Sequence, residues 1–232
     1  MKKTTAAIVS LAILLVSICF MGCSKDKNDD FPSGFDFTLE LDPSQVNFFG
    51  QRAIYGYSKK QMNSYNVAVK INGEQIGLDF YHHALDGDNW FFYGNYIFTV
   101  GNVYDVEFTV NGKTVRYDVL IHGTGITSPS VYNPRVATEV AWTVTKYCQQ
   151  QSIYAYYLID AEIAANYIYF VSSTTRKHTV PAFSIDEEAA LGSAVIFVQN
   201  RDYYSKDKIG IISQSYDKIN WFQDSPEAED SR

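Results

Sequence analysis

Tyr104-Asp105-Val106-Glu107-Phe108-Thr109-Val110-Asn111-Gly112-Lys113-Thr114-Val115-Arg116-Tyr117-Asp118-Val119-Leu120-Ile121 decides the fold class. Apolar residues at 104, 106, 108 and 110 alternate with polar ones, and the same period of two returns at 115, 117, 119 and 121. Successive side chains of a strand point to opposite faces, so this pattern describes strands with one buried face. Asn111-Gly112 sits between the runs, and both residues accept the positive φ that a two-residue hairpin needs. The motif occurs earlier as well. Tyr65, Val67, Val69 and Ile71 lead to Asn72-Gly73 and then to Ile76, Leu78 and Phe80. Trp90 to Val100 reads as a long aromatic strand joined through Gly101-Asn102, so residues 90–121 are expected to form a three-stranded meander. A second sheet must cover its apolar face, and residues 35–49 and 65–80 are the candidates.

Past this region the alternation stops and restarts. Gly123, Gly125, Pro129 and Pro134 mark residues 122–136 as an inter-domain linker or a leading irregular strand. Val140, Trp142 and Val144 resume the period, followed by short runs at 153–160, 167–172, 178–185, 194–199 and 208–214. Ser184 and Glu187 have the spacing of a capping box ahead of Glu188-Ala189-Ala190-Leu191-Gly192, which predicts one short helix. The expected architecture is all-β, with two tandem antiparallel sandwiches at 35–122 and 127–222 and a disordered acidic tail over 223–232.

The N-terminus carries an address. Lys2 and Lys3 precede an apolar run from Ala6 to Phe20, too short for a comfortable membrane span. Phe20-Met21-Gly22-Cys23 resembles the lipobox of bacterial lipoproteins, although Leu is usual where Phe20 stands and Ala or Ser where Met21 stands. The resemblance implies removal of residues 1–22, a diacylglyceryl group on the Cys23 thiol and an acyl chain on its amine. Several chains anchor a protein stably where one does not. Ser24 after the lipidated cysteine implies the outer membrane. Residues 23–34, with Asp29-Asp30, read either as a surface-export tag or as a solvated tether. Residues 127–216 resemble a fibronectin type III or related immunoglobulin-like domain, through Trp142, Tyr154 to Tyr157, Thr179-Val180-Pro181-Ala182 and Ala194 to Val198. Surface lipoproteins of bacterial polysaccharide-uptake systems have this layout of tether and sandwiches.

Composition narrows the function. The chain has 232 residues and a formal charge of −7, and it becomes more negative once Lys2 and Lys3 leave. An acidic chain without a basic cluster does not suit nucleic acid. With Cys19 lost and Cys23 lipidated, Cys148 stands alone, so no intrachain disulfide forms and Cys148 is expected to be an unreactive buried thiol. His82-His83 on a strand would face opposite ways and could not chelate one ion, and Asp86-Gly87-Asp88 lacks the later ligands of a calcium loop, so no metal or other cofactor is expected. Gly123-Thr124-Gly125 lacks the third glycine and the helix of a phosphate loop. No G-x-S-x-G, Walker or H-E-x-x-H pattern occurs, and a non-catalytic protein is expected.

The aromatic run at 90–96 is the candidate binding site. If Trp90, Phe92 and Tyr96 share the core face with Phe98 and Val100, then Phe91, Tyr93 and Asn95 look outward, able to stack a sugar ring and hydrogen-bond its hydroxyls. Otherwise a second layer covers them and they are core. The expected function is a membrane-anchored protein that binds a glycan. The alternative is a structural, adhesive or pilus-associated scaffold with a protein partner.

Overall fold

The computed structural model describes residues 35–44, 46–47, 50–51, 53–58, 60–83, 89–159, 162–185 and 192–222. The described residues are all-β and contain no helix. The strands are β1 (Phe37–Leu41), β2 (Val46–Asn47), β3 (Gly50–Gln51), β4 (Ile54–Ser58), β5 (Val67–Ile71), β6 (Glu74–Gln75), β7 (Leu78–His83) and β8 (Asn89–Gly94). They continue as β9 (Val103–Val110), β10 (Lys113–Leu120), β11 (Thr124–Ser128), β12 (Thr138–Val144) and β13 (Gln150–Ile159). The last are β14 (Glu162–Val171), β15 (Lys177–Val180), β16 (Gly192–Lys206) and β17 (Ile209–Phe222).

An eight-stranded sheet in the order β14-β13-β16-β17-β1-β4-β8-β7 runs through the molecule. A four-stranded sheet, β10-β9-β5-β6, and a three-stranded one, β11-β12-β15, cover it. Both lie on the same face. In β17 the side chains of Ile209, Ile211 and Ile219 share one side by alternation. Ile209 and Ile211 join a core with Leu39, Leu41, Ile54, Phe92, Val69, Val106, Phe108 and Val119. Ile219 packs against a second core of Val140, Trp142, Ile153, Ala155, Val180, Ile196 and Val198. The two cores follow the two stretches read in the sequence. One strand nevertheless serves both, because β1 pairs in parallel with the first part of β17 (Leu39 opposite Ile211).

Between the cores the inner side of β17 turns polar, and this seam fastens the supposed linker. Ser213 Oγ donates to the Leu120 carbonyl at 2.6 Å, Ser215 Oγ meets Thr124 Oγ1 at 2.6 Å, and the Ile126 amide donates to Asp217 Oδ2 at 2.8 Å. Of the two readings of residues 122–136, the strand holds for 124–128, which is β11. At its head, His122 is fully buried and its Nε2 lies 2.7 Å from Asp202 Oδ2. The other oxygen of Asp202 accepts from the Gln149 amide at 2.6 Å.

Several expectations hold and some need correction. Asn72 and Gly73 have φ of 51° and 81°, and Asn111 and Gly112 have 50° and 75°, as their hairpins require. Trp142 is buried, with Nε1 donating to Gln151 Oε1 at 3.1 Å. The meander over 90–121 does not form. β8 ends at Gly94 and lies in the large sheet beside β4, whereas β9 and β10 belong to the four-stranded sheet together with β5. Residues 95–100 cross between the layers, and Val100 is exposed instead of continuing the core face. Tyr96 and Phe98 of the crossing pack on Tyr104, while the Phe92 ring lies so close to Gly56 that a Cβ there would stand 2.0 Å from it. The expected helix at 187–191 and the Asp86-Gly87-Asp88 segment lie outside the described residues.

Candidate functional site

The face of the large sheet turned away from both smaller sheets is built by the same alternation that fills the cores. In β1, Phe37, Leu39 and Leu41 point inward, so Thr38 and Glu40 point outward. Cross-strand register then assembles an outer row. Glu40 stands opposite Tyr55, Tyr55 opposite Tyr93, and Tyr93 opposite Asp79. One row on, Thr38 faces Tyr57, Tyr57 faces Phe91, and Phe91 faces Tyr81.

The rings gather into a cluster. Tyr55 lies 5.9 Å from Phe91 in a stacked arrangement and 5.1 Å from Tyr93. Tyr81 meets Tyr93 edge-on at 5.4 Å. Tyr55 is buried at the centre, Phe91 and Tyr93 are half-buried, and Tyr57 and Tyr81 keep 39% and 48% of their surface exposed. Phe91 and Tyr93 are thus on the side away from Phe92, as alternation required. Asn95 is exposed but follows the end of β8, one residue past Gly94. On the inner side, His82 stacks on Trp90 at 4.3 Å. Among the described residues no group of three or more His, Cys, Asp or Glu could hold a metal ion.

Toward the middle of the sheet the outer face becomes polar. Gln214 Nε2 donates to Glu40 Oε2 at 3.1 Å, and Gln214 Oε1 accepts from Gln199 Nε2 at 3.1 Å and from Arg201 Nε at 3.0 Å. Tyr203 Oη donates to Gln150 Oε1. Burial pushes the Glu40 carboxyl up to about 7, helped by the like charge of Asp42 and opposed by Arg201 and the Gln214 hydrogen bond. Beyond this strip lies a second aromatic cluster. Tyr154 stacks on Tyr156 at 6.4 Å, Tyr156 meets Phe197 at 6.4 Å, and Phe197 meets Tyr216 at 6.0 Å. Tyr154 and Tyr156 are buried in it, although neither smaller sheet contributes a residue to this cluster of β13, β16 and β17.

The sequence pointed to Phe91 and Tyr93 but not to their partners. Glu40 and Tyr55 come from β1 and β4, and Arg201 and Gln214 from the β16–β17 hairpin far along the chain. The signal for Glu40 was present in Phe37-Thr38-Leu39-Glu40-Leu41, where alternation puts Glu40 opposite the leucines.

His122 Nδ1 has no hydrogen-bond partner. The Cys148 thiol is turned to the Gln150 carbonyl at 3.2 Å and to Asn200 Oδ1 at 3.4 Å, and burial raises its pKa. That is the environment of an unreactive thiol.

No family model matches the chain, and no curated protein matches it. Among solved structures, the chain shows a slight likeness to dimeric latent PorU from Porphyromonas gingivalis. The identity is 6% and the TM-score 0.26, over 88% of this chain and 21% of that one. The chain therefore spans about a fifth of that protein. A likeness of this size bears on neither the fold nor the function.

Proposed function

We propose that the chain is a non-catalytic lipoprotein, anchored through Cys23 in the outer membrane of a bacterium, that binds a glycan on the outer face of its large sheet. The observation that supports this reading is the order of groups across that face. One aromatic cluster, with Tyr57 and Tyr81 exposed at its edge, borders a strip of amides, a guanidinium and a carboxyl, and the second cluster beyond the strip is buried. The C–H faces of a sugar stack on rings such as Tyr57 and Tyr81, and amide or carboxyl groups pair with its neighbouring hydroxyls. The negative charge of the chain argues against a strongly anionic polymer as the ligand.

Binding is tested on a glycan array and then by calorimetry with the mature protein. Tyr57→Ala with Tyr81→Ala is expected to weaken binding roughly five- to 150-fold, at about 0.5–1.5 kcal/mol per ring contact. Both residues are exposed, so the melting temperature should move little. Phe91→Ala and Tyr93→Ala, half-buried in the same cluster, should lose both binding and stability. A wild type that binds no glycan, or a double variant that binds as well as the wild type, would remove this reading.

The anchor has its own test. Cys23→Ala leaves no thiol for the lipid, and the protein should move from the membrane to the soluble fraction, because no acyl chain remains to hold it. A variant that sediments with membranes as completely as the wild type would show that Cys23 is not the anchor.

A further inference from the structure

The large sheet ends on one side at β14, a ten-residue strand whose far edge meets no other strand among the described residues. An exposed edge presents a row of backbone donors and acceptors that can pair with another strand, and proteins commonly blunt such edges with lysine, proline, charge or bulges. From Ile163 to Val171 the strand reads Ile-Ala-Ala-Asn-Tyr-Ile-Tyr-Phe-Val, with no charge and no proline. The one irregularity is a bulge near the start of β14, where Tyr157 pairs with Ala165 and Leu158 with Ile163, leaving Ala164 unpaired; the strand runs regularly from Ala165 to Val171. The opposite edge of the sheet, β7, carries Asp79 and His82.

The side chains of β14 divide cleanly. Tyr167, Tyr169 and Val171 pack on the second core. Asn166, Ile168 and Phe170 are exposed on the outer face, with Ile168 at 48% and Phe170 at 50%, and Ile163 and Ala164 at the bulge are exposed as well. Large apolar side chains at an uncharged edge are unusual for a surface that meets only water.

We infer that β14 pairs antiparallel with β14 of a second copy of this chain, joining two large sheets into one across a two-fold axis. The charge pattern favours self-pairing. An uncharged strand meets its own copy without opposing like charges, and only Glu162 at its first position carries charge. A two-fold axis perpendicular to the sheet keeps the outer faces of both copies on the same side. Ile168 and Phe170 of one copy then lie beside those of the other and cover one another. The inference stands apart from glycan binding, since it rests on the edge and not on the aromatic face.

The test uses the full-length protein in its membrane. Single cysteines are placed at Ala164, Asn166, Ile168 and Phe170, all exposed, and mild oxidant is added. Directly opposed residues of an antiparallel pair have Cβ atoms about 4.5–5.5 Å apart, within reach of a disulfide. A two-fold axis through an outward residue opposes that residue to itself, whereas one through an inward residue opposes two different outward residues, so the variants are expressed singly and co-expressed in pairs. At least one single variant or pair should give a cross-linked band at twice the protein's mass, and the wild type, whose Cys148 is buried, should give none. Adding Ile168→Lys to the cross-linking variant, or Phe170→Lys where 168 is the cysteine site, should cut the yield at least tenfold without lowering the melting temperature. A scan in which no position cross-links to a second copy overturns the inference. So does a cross-link to a protein of a different mass, which would make the edge a docking strand for another partner.

Discussion

Glu40→Gln is expected to stabilise the protein by about 3 kcal/mol at pH 8 and to change it little at pH 4.5. The carboxyl sits on the outer face of β1, and burial pushes it from an ordinary 4.5 up to about 7. The folded state thus holds this proton more tightly than the unfolded chain. The stability contributed by the protonated form is fully present below pH 4.5. It declines as the pH rises toward 7 and is lost above that, since ionising Glu40 costs free energy only in the folded protein. Glutamine has the shape of the neutral acid, and its oxygen can still accept from Gln214 Nε2, which lies 3.1 Å from Glu40 Oε2. Urea unfolding at pH 4.5, 6, 7 and 8 should show a wild type that weakens across this range and a variant that weakens less. Parallel curves for the two proteins would mean that Glu40 does not titrate in this window.

Asp202→Ala should produce the largest loss. One carboxylate holds two otherwise distant pieces, His122 at the head of the seam through Oδ2 and the Gln149 amide through Oδ1. Alanine leaves the His122 nitrogen and the Gln149 N–H without their acceptor, in a place where His122 has no exposed surface. The buried His122 nitrogen left without a partner costs about 1–3 kcal/mol and the Gln149 N–H, on an exposed residue, costs less, so the expected loss is about 2–3 kcal/mol. For a chain of this size that corresponds to a fall in melting temperature on the order of 10 °C. Asp202→Asn keeps an acceptor for Gln149 and a group that can bond the imidazole, and it should cost about 1 kcal/mol. Thermal unfolding of the two variants separates the cases. If alanine and asparagine behave alike, the pair does not fasten the seam.

The long hairpin of β16 and β17 shows where reading by pattern stops. Its turn uses Asp207 and Lys208 at φ of 53° and 64°, with no glycine to announce it. Its strands continue past the apolar runs at 194–199 and 208–214 through the polar residues Asn200-Arg201-Asp202 and Ser213-Gln214-Ser215. Those polar residues belong to the middle of the strands because the seam and the outer face both need them. Alternation counts them as a break. Phe91 and Tyr93 could be placed on the outer side of a strand from their neighbours alone. That Tyr55 would lie between them and Glu40 could not, since β4 enters the sheet through pairings with β1 and β8.

By itself the sequence determined the class of the fold, the Asn-Gly hairpins at 72–73 and 111–112, and the core side of most strands. These are local properties: a period of two sets the face on which a side chain falls, and a positive φ selects the turn residue. Only the tertiary structure decided which strands are neighbours. It placed β8 beside β4 instead of β9, and it set β1 parallel to β17, joining Leu39 to Ile211 across most of the chain. The physical reason is that strands pair through backbone N–H and C=O groups, which nearly every residue carries alike. The choice of partner therefore falls to the packing of whole faces. Here two cores select one shared sheet, and that sheet gathers Glu40, Tyr55, Tyr93, Arg201 and Gln214 onto a single face.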